Sequence, residues 1–242
     1  MMQSPHAEVK LNTNKSNMRT GTINNYIKFS KNFGGVRKCY EGKPTIAVGG
    51  FSCAKELMPA PGNAMAAGTL VYADEVTRTI VPLYTFKVKE VDSTNSKITV
   101  EKYETGSIAK VGMKLIVVGN DLTQSATYVH TVSAVDSSND DVDVLTVDAV
   151  TGVTAGAVLA EGVSTTTGEG QSAVTTNLVK VIPNGLTYCD NVLDEDAYAI
   201  DIDYVWNCME KPVLERRMPP LTASLKKALR DNECYFRFSP RK

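Results

Sequence analysis

Histidine is nearly absent from this chain. Of 242 residues only His6 and His130 are histidines, so a Ser-His-Asp, Cys-His or multi-histidine metal site has to use His130. Cysteine is sparse and odd in number: Cys39, Cys53, Cys189, Cys208 and Cys234. No two are spaced as CxxC, which excludes a zinc ribbon or a thioredoxin-type motif, and the reading is free thiols of a reducing cytosol. There is no GxxxxGKS/T, hence no P-loop. Gly168-Glu169-Gly170 lacks both the third glycine and the strand-turn-helix frame of a dinucleotide fingerprint. No apolar run approaches the roughly 18 residues of a membrane helix. Residues 1–10 are polar, unlike a secretory signal.

What is present is an ordinary globular composition, 43% apolar and 22% charged, long enough to bury a core. The net charge of −1 hides a segregation. Residues 1–45 hold eight Lys/Arg against two acids, with no helical or alternating apolar period. That pattern reads as an extended basic arm whose anchors are Tyr26, Ile27, Phe29 and Phe33. Residues 86–162 reverse the sign, with six lysines against eleven acids, and residues 207–242 return to nine bases against four acids. Each run suits a solvated face, and together they suit charge-matched contacts with a partner or between copies.

Residues 64–163 read as strands. Phe86-Lys87-Val88-Lys89 and Lys97-Ile98-Thr99-Val100 alternate apolar and polar on either side of the turn cluster Asp92–Ser96, a β-hairpin. A second copy follows at an offset of about 44 to 46 residues. Val91-Asp92-Ser93 recurs as Val135-Asp136-Ser137, Thr105-Gly106 as Thr151-Gly152, and Gly112-Met113-Lys114-Leu115 as Gly156-Ala157-Val158-Leu159. The expectation is an internal duplication folded as a small sandwich or barrel. Asn139 to Asp143 has the oxygen-rich composition of a calcium loop without EF-hand spacing, and reads better as a turn leading into an exposed strand.

Toward the C-terminus, Thr165 to Ser172 reads as a flexible connection. Leu178 to Ile182 reads as a strand ending at Pro183-Asn184-Gly185. Tyr198 to Trp206 reads as one strand with Tyr198, Ile200, Ile202, Tyr204 and Trp206 on its inner face. Asp201 and Asp203 then face outward rather than forming a metal-binding pair. Pro219-Pro220-Leu221-Thr222 opens a short helix capped by Thr222 with Leu225, Ala228 and Leu229 inward. Tyr235 to Phe238 reads as a last strand. Arg216, Arg217, Lys226, Lys227 and Arg230 make a candidate basic surface. The absence of an interleaved aromatic platform argues against nucleic acid as its partner.

The expected fold is therefore mainly β, with three parts. Residues 1–45 form the arm. Residues 46–85 and 170–242 form a β-rich base carrying the short helix. Residues 86–163 form the tandem of hairpins.

Ala66-Ala67-Gly68-Thr69-Leu70-Val71-Tyr72, the tandem Val-Asp-Ser hairpins, and the ending from Glu215-Arg216-Arg217-Met218-Pro219-Pro220 to Lys226 resemble head decoration or head-fibre proteins of tailed bacteriophages, crAss-like phages included. The resemblance covers about two thirds of the chain, from Gly62 onward. It implies an auxiliary capsid protein of the virion, made in the bacterial cytoplasm. Its partners would be the major capsid protein and sister copies, in a trimer, and it implies no catalytic residues, metal or cofactor. The arm has no match in that family. A second class is a β-sandwich that binds carbohydrate or a host-surface ligand through exposed aromatics, for which Tyr84, Tyr103 and Tyr128 are available. An enzyme is the third class. Acids are plentiful enough for a two-carboxylate glycosidase, but no apolar pocket pattern points to a carboxyl with a raised pKa.

Overall fold

A computed structural model describes residues 39–47, 50–103, 105–168, 174–193 and 197–240. The chain is mainly β, with two sheets and one short helix among the described residues. It begins with β1 (Thr45–Ile46), β2 (Phe51–Ala54) and the hairpin of β3 (Leu70–Asp74) and β4 (Thr79–Leu83). The first repeat contributes β5 (Thr85–Asp92), β6 (Lys97–Glu101) and β7 (Lys114–Val117). The second contributes β8 (His130–Asp136), β9 (Val142–Val147) and β10 (Val158–Thr167). Then come β11 (Val174–Val179), β12 (Gly185–Thr187), β13 (Ala199–Ile202), β14 (Tyr204–Leu214), the helix α1 (Ala223–Asp231) and β15 (Tyr235–Ser239).

The tandem is one closed barrel. Its strands run β5-β6-β9-β8-β7-β10, and β10 returns to β5, all antiparallel. Closure leaves this ring without a free edge. The duplication shows in every joint. β5–β6 matches β8–β9, and β10–β5 matches β7–β8. The register slips between Val88 and Glu90 in the first hairpin and between Val132 and Ala134 in the second, the same place in each repeat. The amide of Gly112 donates to Val132 O, and the amide of Gly156 donates to Val88 O, both at 2.8 Å. Each repeat thus ties down the first strand of the other. Both glycines need the left-handed region, at φ 86° and 84°.

Asp92 and Asp136 close the matching hairpin turns. Asp92 Oδ1 accepts the amides of Thr94 and Asn95, and Asp136 Oδ1 accepts that of Ser138. Hydrogen bonds from Asn95 and from Ser138 hold the two carboxyls below the usual carboxylate range.

The base is a coiled sheet in the order β1-β14-β12-β3-β4-β2-β13, with β15 added along β14. Both ends are antiparallel pairings to the same stretch of chain, residues 45–47 against 204–207 and residues 51–54 against 199–202. The barrel is inserted between β4 and β12, and one core crosses the junction. Phe86, Val88, Ile98 and Leu145 inside the barrel belong to the same buried cluster as Phe51, Val71, Ile80 and Ile202 of the base. A second cluster lies under the helix, where Leu225 and Leu229 meet Leu70, Leu186, Val205 and Val213. Thr222 caps α1 by accepting the Leu225 amide at 3.3 Å, a contact that stabilises by about 1 kcal/mol.

Four expectations change. The expected arm ends earlier than residue 45: Cys39 and Tyr40 are buried, Tyr40 bridges Val213, and Thr45 is already in β1. The run from Tyr198 to Trp206 is not one strand. It breaks at Asp203, where β13 gives way to β14. Tyr204 and Val205 are both buried, while Tyr198 and Trp206 are exposed. Thr165 to Thr167 are not a connection but the end of β10, paired with Val174 to Thr176. Asp143 does not sit on an exposed strand, because it shares the inward parity of Leu145 and Val147 and is buried.

Candidate functional site

Tyr26, Ile27, Phe29 and Phe33 lie outside the described residues. The five candidate basic residues sit on two elements of the base that are bonded to each other. Arg216 and Arg217 sit on the 3-10 turn Glu215–Arg217 that follows β14, and Lys226, Lys227 and Arg230 ride on α1. The turn and the helix are clamped together by Lys226, whose ammonium lies 2.7 Å from Glu215 and 5.3 Å from the centre of the Phe238 ring. Lys227 pairs with Asp231 one helical turn away, and Arg230 is exposed in the last turn. Lys226 is therefore structural first: its charge is largely used within the chain.

The chain enters the described fold at the same place. Cys39 O accepts the amide of Leu214 at 2.8 Å, and Tyr40 Oη donates to Thr187 O at 2.7 Å. Gly68, at φ 82°, lets this corner close, since a Cβ there would stand 2.7 Å from Met218 Cβ. Beside it a cleft of about 640 Å³ separates barrel from base. Lys87, Glu101, Asp190, Glu215, Arg216 and Arg217 line it, a mixed-charge wall.

The classical catalytic candidates are built into the fold. His130 is buried, and its Nδ1 donates to Ala149 O at 2.6 Å, since a carbonyl can only accept. Lys102 takes the place a cation would hold in the acid-rich turn. Its ammonium donates to Ser137 O at 2.7 Å and Asn139 O at 3.0 Å, and lies 3.5 Å from buried Asp143. All five cysteines are unpaired. Burial pushes Cys39 up to about 12 and Cys53, Cys189 and Cys234 up to about 11, so they are neutral thiols and poor nucleophiles at neutral pH.

At the barrel–base junction Lys180 pairs with Glu161 at 2.8 Å, and Lys110 Nζ donates to Glu56 O at 2.7 Å. Burial lowers the Lys110 ammonium from its ordinary value, with Glu161 opposing and Lys180 adding to the shift. The Lys110–Glu56 bond joins the barrel to the base, while Lys180 and Glu161 extend the pairing of β11 with β10. Among the described residues no three His, Cys, Asp or Glu side chains are grouped to hold a metal ion.

Of the three tandem tyrosines, two are packing residues. Tyr84 is buried with its hydroxyl on Leu57 O, and Tyr103 is half-buried with its hydroxyl on Thr85 O. Tyr128 alone of the three is exposed. It belongs to residues 118–129, a segment of which the sequence singles out Tyr128 alone. The segment links the repeats and has no partner in the duplication, and that asymmetry is the signal that marks it.

The fold and its surfaces define a class: a mainly β protein in which a closed, duplicated barrel is set into a coiled-sheet base. Comparison with protein-family models, with curated proteins and with solved structures gives no match for this chain.

Proposed function

We propose that this chain is an auxiliary structural protein of a phage virion, a capsid decoration or head-fibre protein that binds the shell through its base and displays its barrel. The observation that carries the reading is that the described fold begins against β14, the strand whose end carries Arg216 and Arg217. The segment before Cys39 holds seven of the eight Lys/Arg of residues 1–45 and joins the fold beside Leu214, and Arg216, Arg217 and the basic helix follow directly. The barrel, with its excess of acids, is inserted into the base and is carried by it. Charge matching with an acidic lattice surface would then orient every copy alike, and repetition over the shell multiplies a modest single contact.

The resemblance of Ala66 to Tyr72 and of Glu215 to Lys226 to phage head proteins supports the major capsid protein as the proposed lattice. Copies of the chain would meet one another on it. The test is co-sedimentation of the full chain with shells of the major capsid protein from the same genome. Saturable binding that weakens with salt, and that falls at least tenfold in the triple variant Arg216→Glu, Arg217→Glu, Arg230→Glu, is expected. No binding at low salt, or binding indifferent to those charges, overturns the reading.

A further inference from the structure

β7 and β8 are antiparallel neighbours, with Leu115 paired to His130. Such strands need a connection of about two to five residues. The chain uses the twelve residues 118–129 instead. A loop at this length is uncommon inside a compact fold, where longer ones are functional or serve as linkers.

The loop is also fastened. Ser224 Oγ donates to Gly119 O at 2.7 Å, and Leu122 is buried in the core under the helix. The amide of Ala126 donates to Asn177 O at 2.7 Å, while Asn177 returns its side-chain amide to Ala126 O and its backbone amide to Ser125 Oγ. Asp121 Oδ1 accepts the amide and the hydroxyl of Thr123, at 2.9 and 2.7 Å. Gly152, at φ 80°, makes room for the Tyr128 ring, because a Cβ there would stand 2.8 Å from Tyr128 Cδ2.

The result is a cup of about 480 Å³, within the roughly 300–1,000 Å³ of small-ligand sites. Its floor includes Leu122 and Val179. Its exposed rim carries Tyr128, Asn120, Asp121, Gln124 and Thr127. No Lys, Arg or His lines it, which disfavours phosphate and sulfate. One carboxylate is too few for a calcium ion. An aromatic ring 47% exposed, beside two amides, a hydroxyl and one carboxylate, suits a ligand with both a C–H face and many hydroxyls. We infer that the cup formed by residues 118–129 binds a neutral saccharide, which stacks on Tyr128 and hydrogen-bonds Asn120, Asp121 and Gln124. Because the loop is fastened beforehand, binding costs little ordering.

The site is independent of the docking reading, and its test separates the two. The full chain is titrated with cellopentaose, mannopentaose, chitotetraose and a sulfated heparin hexasaccharide, read by saturation-transfer NMR and calorimetry. At least one neutral oligosaccharide is expected to bind. Tyr128→Ala should weaken it at least tenfold and Gln124→Ala severalfold, and Tyr128→Phe should retain most of it, with melting temperatures and capsid co-sedimentation unchanged. Failure of all three neutral sugars, tighter binding of the sulfated one, or binding that survives Tyr128→Ala overturns the inference.

Discussion

The amide of Leu214 donates to the carbonyl of Cys39, and across its other edge Leu214 pairs with Ser239. The start and the end of the described fold are therefore held by one residue of β14. Removing residues 1–38 is expected to leave the melting temperature within ~2 °C of the full chain while abolishing co-sedimentation with capsid shells. Extending the deletion to residue 46 also removes buried Cys39 and Tyr40, and should cost roughly 3–5 kcal/mol. Equal stability of the two truncations in urea unfolding would contradict this assignment of the boundary.

Lys102 and Asp143 are both buried and lie 3.5 Å apart. Breaking such a pair strands a charge. Lys102→Met should destabilise by about 3–5 kcal/mol, and adding Asp143→Leu should restore most of the loss. Urea midpoints of the two variants decide it. A double variant no more stable than the single one would show that the carboxylate is not the stranded group.

Gly112 and Gly156 occupy the same position in the two repeats, and neither has any atom within 4 Å of an added Cβ. Alanine at either should therefore cost only the left-handed backbone penalty, about 1–2 kcal/mol. Gly152→Ala should cost more, because its Cβ also meets Tyr128. Thermal melts that separate Gly112→Ala from Gly156→Ala by more than the penalty itself would mean the repeats are not energetically equivalent.

Burial, reinforced by the nearby Asp190 carboxylate, pushes the Cys39 thiol up to about 12 from an ordinary value near 9. The folded state keeps the proton that the unfolded chain gives up. The stability from this group is full below pH ~9 and is lost as pH rises toward about 12. Unfolding free energy should fall over that window, and Cys39→Ala should make the fall shallower. An unchanged slope in the variant would assign the alkaline loss to other groups, Tyr204 among them, which burial also raises to about 12.

The duplication was legible because it repeats glycine positions and turn acids, and those residues are fixed by backbone conformation. Gly112/Gly156 and Asp92/Asp136 keep their roles in three dimensions. Asp143 was legible in principle, since it shares the parity of Leu145, but its partner Lys102 comes from another strand. The break at Asp203 was not legible. Nor was the register shift between Thr45 and Ile46, opposite Val205 to Asn207, which depends on a strand some 160 residues away and leaves no mark in the local pattern. Residues 39–45 carry no apolar period because they are held by single bridges and two buried side chains rather than by a regular strand. The linear count of positive charge likewise could not show that Lys226 is engaged by Glu215.

The pairing of Cys39 and Tyr40 with residues 213 and 214 has a consequence during synthesis. On the ribosome, the first described residues must wait until some 170 further residues have been made before their partner strand appears. Contacts this far apart in sequence form slowly. Nascent chains that stall before β14 will expose unpaired strand edges, and these are the species that chaperones must hold.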